Sequence, residues 1–238
     1  MTAMHTRRSF IGLAAASGAL FVQGHENSGK QEPETTATEE LMREHGILRR
    51  ALIVYAETAP KLRSNADSVP LKALSDTAKL FRLVGEDHHE KILEESHVFP
   101  VVRKTKGPAS AYVDVLQMQH ERGRQITEYI LAVTNSGKIN SSNAVPLADA
   151  LTAFVRMYTT HAAMEDTIVF PAWKATFSAA EFEEVAKNFE EMERLQFGAN
   201  EFQDARKVIA SIEEELGLSD LNIFTAPLPP KVSVTTRK

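Results

Sequence analysis

One stretch of this chain steps by four and three without a break: Leu147, Leu151, Phe154, Tyr158, His161, Glu165 and Ile168. A heptad of this kind makes one face of a helix and buries it against partner helices. Two of its places, where leucine is expected, hold a histidine and an acid. An unpaired acid or imidazole in an apolar seam is costly, so something inside the fold must pair with them. Three more histidines, His45, His89 and His120, fall one per helix on inward positions of other helical patterns. Imidazole and carboxylate converging inside a helix bundle is how proteins hold iron or a similar divalent metal.

The same periodicity lays out the rest of the chain. Residues 38–58 predict a first helix with the stripe Leu41, His45, Leu48, Leu52, Tyr55, ended by Pro60 and the polar stretch 64–68. Ser68-Val69-Pro70 opens a second helix that carries His89 and lasts to Phe99-Pro100. A third, over 110–133, puts Val113, Leu116, His120, Thr127 and Ile130 on one face. The fourth starts near Pro146, carries the heptad and stops at Phe170-Pro171. Ser178-Ala179-Ala180-Glu181 has the form of a capping box for an acidic fifth helix reaching residue 197, its acids read as a solvated face. A sixth runs over 200–216 and is closed by Gly217. The tail from residue 219, with Pro227, Pro229 and Pro230, is expected to be extended. No alternating strand pattern occurs. The expected fold is all-α, an up-down-up-down four-helix bundle with two additional C-terminal helices.

The second and fourth helices read as copies of one unit: His89, Glu94-Glu95, Phe99-Pro100 and His161, Glu165-Asp166, Phe170-Pro171. A pseudo-twofold site between two halves of the bundle follows. On the second helix the spacing is awkward. Glu94 lies five residues after His89, which is about 500° around a straight α-helix and well off its face. A π-bulge would restore convergence, and such bulges favour functional sites. On the fourth helix, Glu165 fits the straight-helix face.

Composition narrows the chemistry. The 238 residues contain no cysteine, which excludes disulfides, zinc-thiolate sites, haem attachment through cysteine and thiol catalysis. A net charge of −5 gives no reason to expect nucleic acid or an anionic membrane as partner. No apolar run is long enough for an uninterrupted membrane span. Thr6-Arg7-Arg8-Ser9-Phe10-Ile11, followed by a weakly apolar run over 10–22, resembles a twin-arginine export signal. Such signals carry folded, often cofactor-loaded proteins, so the resemblance implies a periplasmic location and a metal loaded before export. The expected organisation is a signal over 1–25, a linker over 26–37, the bundle over 38–175, a helical extension over 176–218 and a tail over 219–238.

Between residues 39 and 173 the chain resembles the hemerythrin-like (HHE cation-binding) family. The matching pieces are Arg43-Glu44-His45; Glu86-Asp87-His88-His89-Glu90-Lys91 with Glu94-Glu95 and Val98-Phe99-Pro100; Gln119-His120-Glu121-Arg122-Gly123-Arg124; and His161 with Glu165-Asp166-Thr167 and Val169-Phe170-Pro171. The resemblance implies a non-haem, usually di-iron centre. Its implied ligands are His45, His89, His120 and His161, with Glu94 as one bridging carboxylate and Glu165 or Asp166 as the other. Asp166 fits the commoner family pattern. Where the family commonly has a second histidine on the third helix, this chain has Arg124, which cannot ligate iron. His88, Glu90 or water would have to fill that place. By default, however, Glu90, Glu95 and His88 read as surface groups, His97 as structural or exposed, and Met118, Met157 and Met164 as core. Packing is the default role of Tyr158, and Trp173 reads as an anchor after the fourth helix.

Three functions remain open on sequence. The family resemblance implies a protein that binds O2 or responds to oxygen, redox state or iron. The same ligands would serve a di-iron oxidase, peroxidase or ferroxidase, and the loss of a histidine at Arg124 shifts the balance toward carboxylate-rich enzymes of that kind. A metal-stabilised structural or partner-binding module is the third.

Overall fold

Thr36 starts the first helix by a reciprocal cap. The Glu39 N–H donates to Thr36 Oγ1 at 3.3 Å, and the Thr36 N–H donates to Glu39 Oε2 at 2.9 Å. The computed structural model describes residues 35–197 and 201–230, for 201–203 the backbone alone. The twin-arginine-like segment and most of the linker lie outside them. Helix α1 is Ala37–Asn65. Helix α2 spans residues 71–105 in three continuous parts: α-helical Leu71–Leu80, π-helical Phe81–Val98 and α-helical Phe99–Thr105. Helix α3 is Ser110–Thr134. Helix α4 spans residues 141–174, with Ser141–Met164 and Phe170–Lys174 α-helical and Glu165–Val169 π-helical. Helices α5, Ala179–Phe197, and α6, Glu201–Leu216, complete the fold. No strand occurs among the described residues. The first four helices make the up-down-up-down bundle, and the last two pack on it.

Prolines do not stop these helices where the sequence suggested. Helix α1 runs past Pro60, because both Pro60 and Ala56, whose carbonyl loses its donor, lie on the solvent face. Helix α4 likewise begins at Ser141, before the exposed Pro146. Phe99-Pro100 and Phe170-Pro171 are not terminators either. In each case the Phe N–H closes the last π-type bond, Phe99 to the Glu94 carbonyl and Phe170 to the Glu165 carbonyl. The proline falls where bonding returns from i+5 to i+4, and it has no N–H to misplace. The motif therefore marks a change of helix type. Helix α2 then ends at Lys106, in the left-handed conformation (φ 52°).

The tail also departs from expectation. Leu221–Phe224 forms a short 3-10 turn, because Asp220 accepts from the Asn222 N–H at 2.9 Å. Ser178 and Glu181 form the anticipated capping box of α5, and Gly217 (φ 72°) closes α6.

Two apolar clusters fill the bundle. The larger contains Leu48, Leu52, Tyr55, Phe81, Leu147, Leu151 and Phe154, extended by Ile209 and Ile212 of α6. An Arg50–Glu213 ion pair ties α6 to α1, with Arg50 Nε 2.8 Å from Glu213 Oε1. The smaller contains Leu41, Leu93, Phe99, Leu116, Phe170 and Trp173, capped by Phe182 and Phe189 of α5. Trp173 stacks on Phe189 at 5.6 Å. Met118 does not join either cluster and is exposed on α3. Each of the first four helices passes from the larger cluster to the smaller one through polar residues, so a polar layer lies between them.

Candidate metal centre

That layer is made of six fully buried side chains: His45 from α1, His89 and Glu94 from α2, His120 from α3, and His161 and Glu165 from α4. The Nε2 atoms of His45 and His89 lie 2.9 Å apart, and those of His120 and His161 lie 3.1 Å apart. Two carboxylates span the two pairs. Glu94 approaches His89 Nε2 at 3.3 Å with one oxygen and His120 Nε2 at 3.2 Å with the other. Glu165 Oε2 lies 3.0 Å from His161 Nε2 and 3.5 Å from His45 Nε2. The π-helix explains Glu94: with each bond spanning one more residue, a five-residue step returns close to the same face.

Every ring is fixed from behind. His45 Nδ1 meets Asp166 at 2.7 Å, His89 Nδ1 meets Glu44 at 2.6 Å, His120 Nδ1 meets Glu95 at 2.9 Å, and His161 Nδ1 meets Gln119 at 3.0 Å. These outer partners turn all four Nε2 atoms inward. Phe170 stacks on His45, and Phe99 on His120, at 5.5 and 5.3 Å. The two Phe-Pro motifs thus wall one side of the layer.

The charges of the layer compensate one another. Burial works against ionising Glu94, yet the His89 and His120 imidazoles hold its carboxyl well below the usual range. Burial and Glu94 work against ionising Glu165, and His161 and His45 outweigh them. In return Glu94 and Glu44 raise His89 against its burial, and Glu90, Glu94 and Glu95 raise His120.

The donor set suits a divalent cation. All four carboxylate oxygens of Glu94 and Glu165 are buried without a well-formed hydrogen bond. Such orphaned acceptors are rare in folded proteins unless a charge satisfies them. Glu94, His120, His161 and Glu165 each offer an atom within 4.8 Å of the others, as do His45, His89 and Glu94.

Residues 36–173 match the hemerythrin HHE cation-binding domain. The chain belongs to that family. Uncharacterized proteins of Mycobacterium tuberculosis and Mycobacterium bovis are each 39% identical to this hemerythrin-domain protein over 219 residues, which covers 90% of this chain and 85% of each relative. No solved structure matches it.

Of the carboxylates that sequence offered as ligands for the hemerythrin-type site, Glu94 and Glu165 lie inside the layer. Asp166 stands outside, half-buried between His45 Nδ1 and Arg49. Three groups read as surface are not. Glu90 is fully buried; its Oε1 accepts from the Tyr158 hydroxyl at 2.9 Å and its Oε2 lies 3.4 Å from Arg124. His88 is buried under α5, with Nδ1 2.8 Å from Gln196. Glu95 is half-buried between His120 and Arg124. His97, partly exposed, packs edge-on against Phe189. Sequence reasoning gave no role to Glu44 or Gln119, since each precedes a histidine and points away from its face. They serve the histidine of a neighbouring helix instead. The Glu86, Glu90, Glu94 spacing of four was the available sign that these acids share one buried side of α2.

Proposed function

We propose that this protein is an exported non-haem iron protein that holds a di-iron centre in the polar layer and binds O2 there. The observation that carries the reading is the pairing of imidazoles, His45 with His89 and His120 with His161, with Glu94 and Glu165 reaching both pairs. The four imidazoles and two carboxylates would hold the cations, and would leave room beside them for a small ligand. When bound, iron supplies reversible one-electron chemistry toward oxygen. The protein's own residues do the rest. Asp166, Glu44, Glu95 and Gln119 set ring orientation and basicity. Phe99 and Phe170 exclude water from one side. The export part rests on Arg7-Arg8 and the apolar run after them. No helix among the described residues is long and apolar enough to cross a membrane.

A second reading, oxidase or peroxidase chemistry at the same site, is favoured by Glu90, Tyr158 and Arg124. They bring an acid, a phenol and a cation beside His120 and His161. Metal analysis of the purified protein, with optical spectra of the reduced protein mixed with O2, tests both. Two irons per chain and a spectral change reversed by removing O2 support carriage. Turnover with consumption of O2 or peroxide supports catalysis. A protein that takes up no iron defeats both.

A further inference from the structure

A fifth buried histidine stands outside the metal layer. His88 of α2 lies under α5, where its Nδ1 donates to Gln196 Oε1 at 2.8 Å and its ring meets Phe197 edge-on at 4.9 Å. Its side chain is only 2% exposed, yet Nε2 has no well-formed hydrogen bond. That nitrogen faces Glu44 Oε1 of α1 at 3.5 Å. With the proton of the neutral ring on Nδ1, Nε2 presents a lone pair. Glu44 presents only acceptors, and its other oxygen is already engaged with His89 Nδ1 at 2.6 Å. Two acceptors thus face each other in a buried place, and both call for a positive charge.

The arrangement repeats one found in the layer. There His161 gives Nδ1 to the amide of Gln119 and turns Nε2 toward the carboxylate of Glu165. The spacing also suits a shared ion: two donors each about 2.1 Å from one tetrahedral cation stand roughly 3.4 Å apart. More acid lies beside the gap. Glu40, partly buried, is one turn before Glu44 on α1, and its carboxyl hydrogen-bonds to Glu193 of α5. Burial, Glu44, Glu193 and Glu190 together push the Glu40 carboxyl up to about 9. Carboxylates crowded in this way repel one another, and a divalent cation relieves the repulsion.

We propose that His88, Glu44, Glu40 and Glu193 form a second cation site, separate from the polar layer, for a divalent metal of the Zn2+ class that takes mixed nitrogen and oxygen donors. His88 and Glu44 are its preset ligands. Glu40 and Glu193 close on it from the outer side, and Glu40 gives up its proton to solvent as it does so. The ligands come from α1, α2 and α5, so the cation pins α5 to the bundle. The inference goes beyond the iron reading and does not depend on it.

The test titrates metal-free, full-length protein with Zn2+ and counts the metal kept after gel filtration. Wild type is compared with His88→Gln and with Glu40→Gln/Glu193→Gln. Each variant should keep one equivalent fewer than wild type, while any Zn2+ held in the layer remains. Zn2+ should also slow backbone hydrogen exchange over residues 189–197 of α5 at least about tenfold in wild type and leave it unchanged in both variants. Should His88→Gln fail to fold, the Glu40→Gln/Glu193→Gln protein decides alone, since it only removes mutual repulsion from partly buried positions. Equal Zn2+ counts in wild type and variant overturn the proposal. So does exchange in α5 that Zn2+ slows as much in the variant as in wild type, or a variant that loses every bound equivalent where wild type keeps several.

Discussion

His45 and His89 each have a carboxylate behind them, Asp166 and Glu44, whereas His120 leans on a carboxylate shared with Arg124 and His161 leans on the neutral amide of Gln119. The inward halves of these pairs are nearly superposable in kind. The outward halves are not. A carboxylate that accepts from Nδ1 makes the opposite nitrogen a stronger donor, and an amide does so less. In the di-iron reading, the first half-site would hold its cation firmly, and the second, with Glu90, Tyr158 and Arg124 beside it, would hold its cation more loosely. The lesson is that helix repetition sets where ligands stand, while residues outside the repeat set what each half does.

Several measurements would break or sharpen that contrast. The largest effect is expected from the inner ring. His45→Ala or His161→Ala should abolish stoichiometric iron binding by metal analysis, and His97→Ala should not; iron retained in both inner variants ends the site assignment. Stripping metal with chelator should lower the unfolding free energy by about 3–4 kcal/mol when iron was present at 10²–10³ times its dissociation constant, read by thermal melts. Next come the outer partners. Glu44→Gln or Asp166→Asn should weaken metal affinity about 10–100-fold. Gln119→Leu should cost less than either, and an equal loss would erase the distinction between the half-sites. Acid should release the metal, because ligation requires neutral imidazoles while neighbouring acids favour protonated His89 and His120.

The smallest effect concerns Glu86. Its proton is held in the fold up to about pH 7 but lost from the unfolded chain near the ordinary carboxyl value of 4.5. Between those limits the folded state binds more protons, so stability falls as pH rises, and the full cost remains above about 7. Glu86→Gln should then stabilise the protein by about 1–3 kcal/mol at pH 8 and flatten its dependence on pH. Denaturant melts at acid and mildly alkaline pH would show it, and a variant less stable at both would refute it.

Much of this was legible in the sequence. The stripes Leu41–His45–Leu48–Leu52–Tyr55 and Leu147–Leu151–Phe154–Tyr158–His161–Glu165 are buried as the periodicity requires, but Ile168, the last place of the heptad, is only partly buried, because the π-helical turn brings Val169 inward instead. The capping box at Ser178 and the glycine at 217 stand where expected. The five-residue step from His89 to Glu94 pointed to a departure from α-geometry, and the chain is π-helical there for 18 residues. What misled was proline. Pro60, Pro100, Pro146 and Pro171 all read as boundaries and all lie within helices, because exposure or a change of hydrogen-bond register removes the penalty. The buried states of Glu90 and His88 were misread for a related reason. A residue on the flank of an α-helical stripe becomes inward when the helix unwinds to the π form, and helices outside the bundle can cover what the bundle leaves open.

The sequence by itself determined the helices, the inward histidines and the two matching His-acid-Phe-Pro units, since these follow from spacing along one chain. Only the tertiary structure decided which carboxylate stands inside the layer and which behind it, and that Glu44 and Gln119 serve rings on other helices. Those assignments depend on the rotation of each helix about its axis, and that rotation is set by packing between helices.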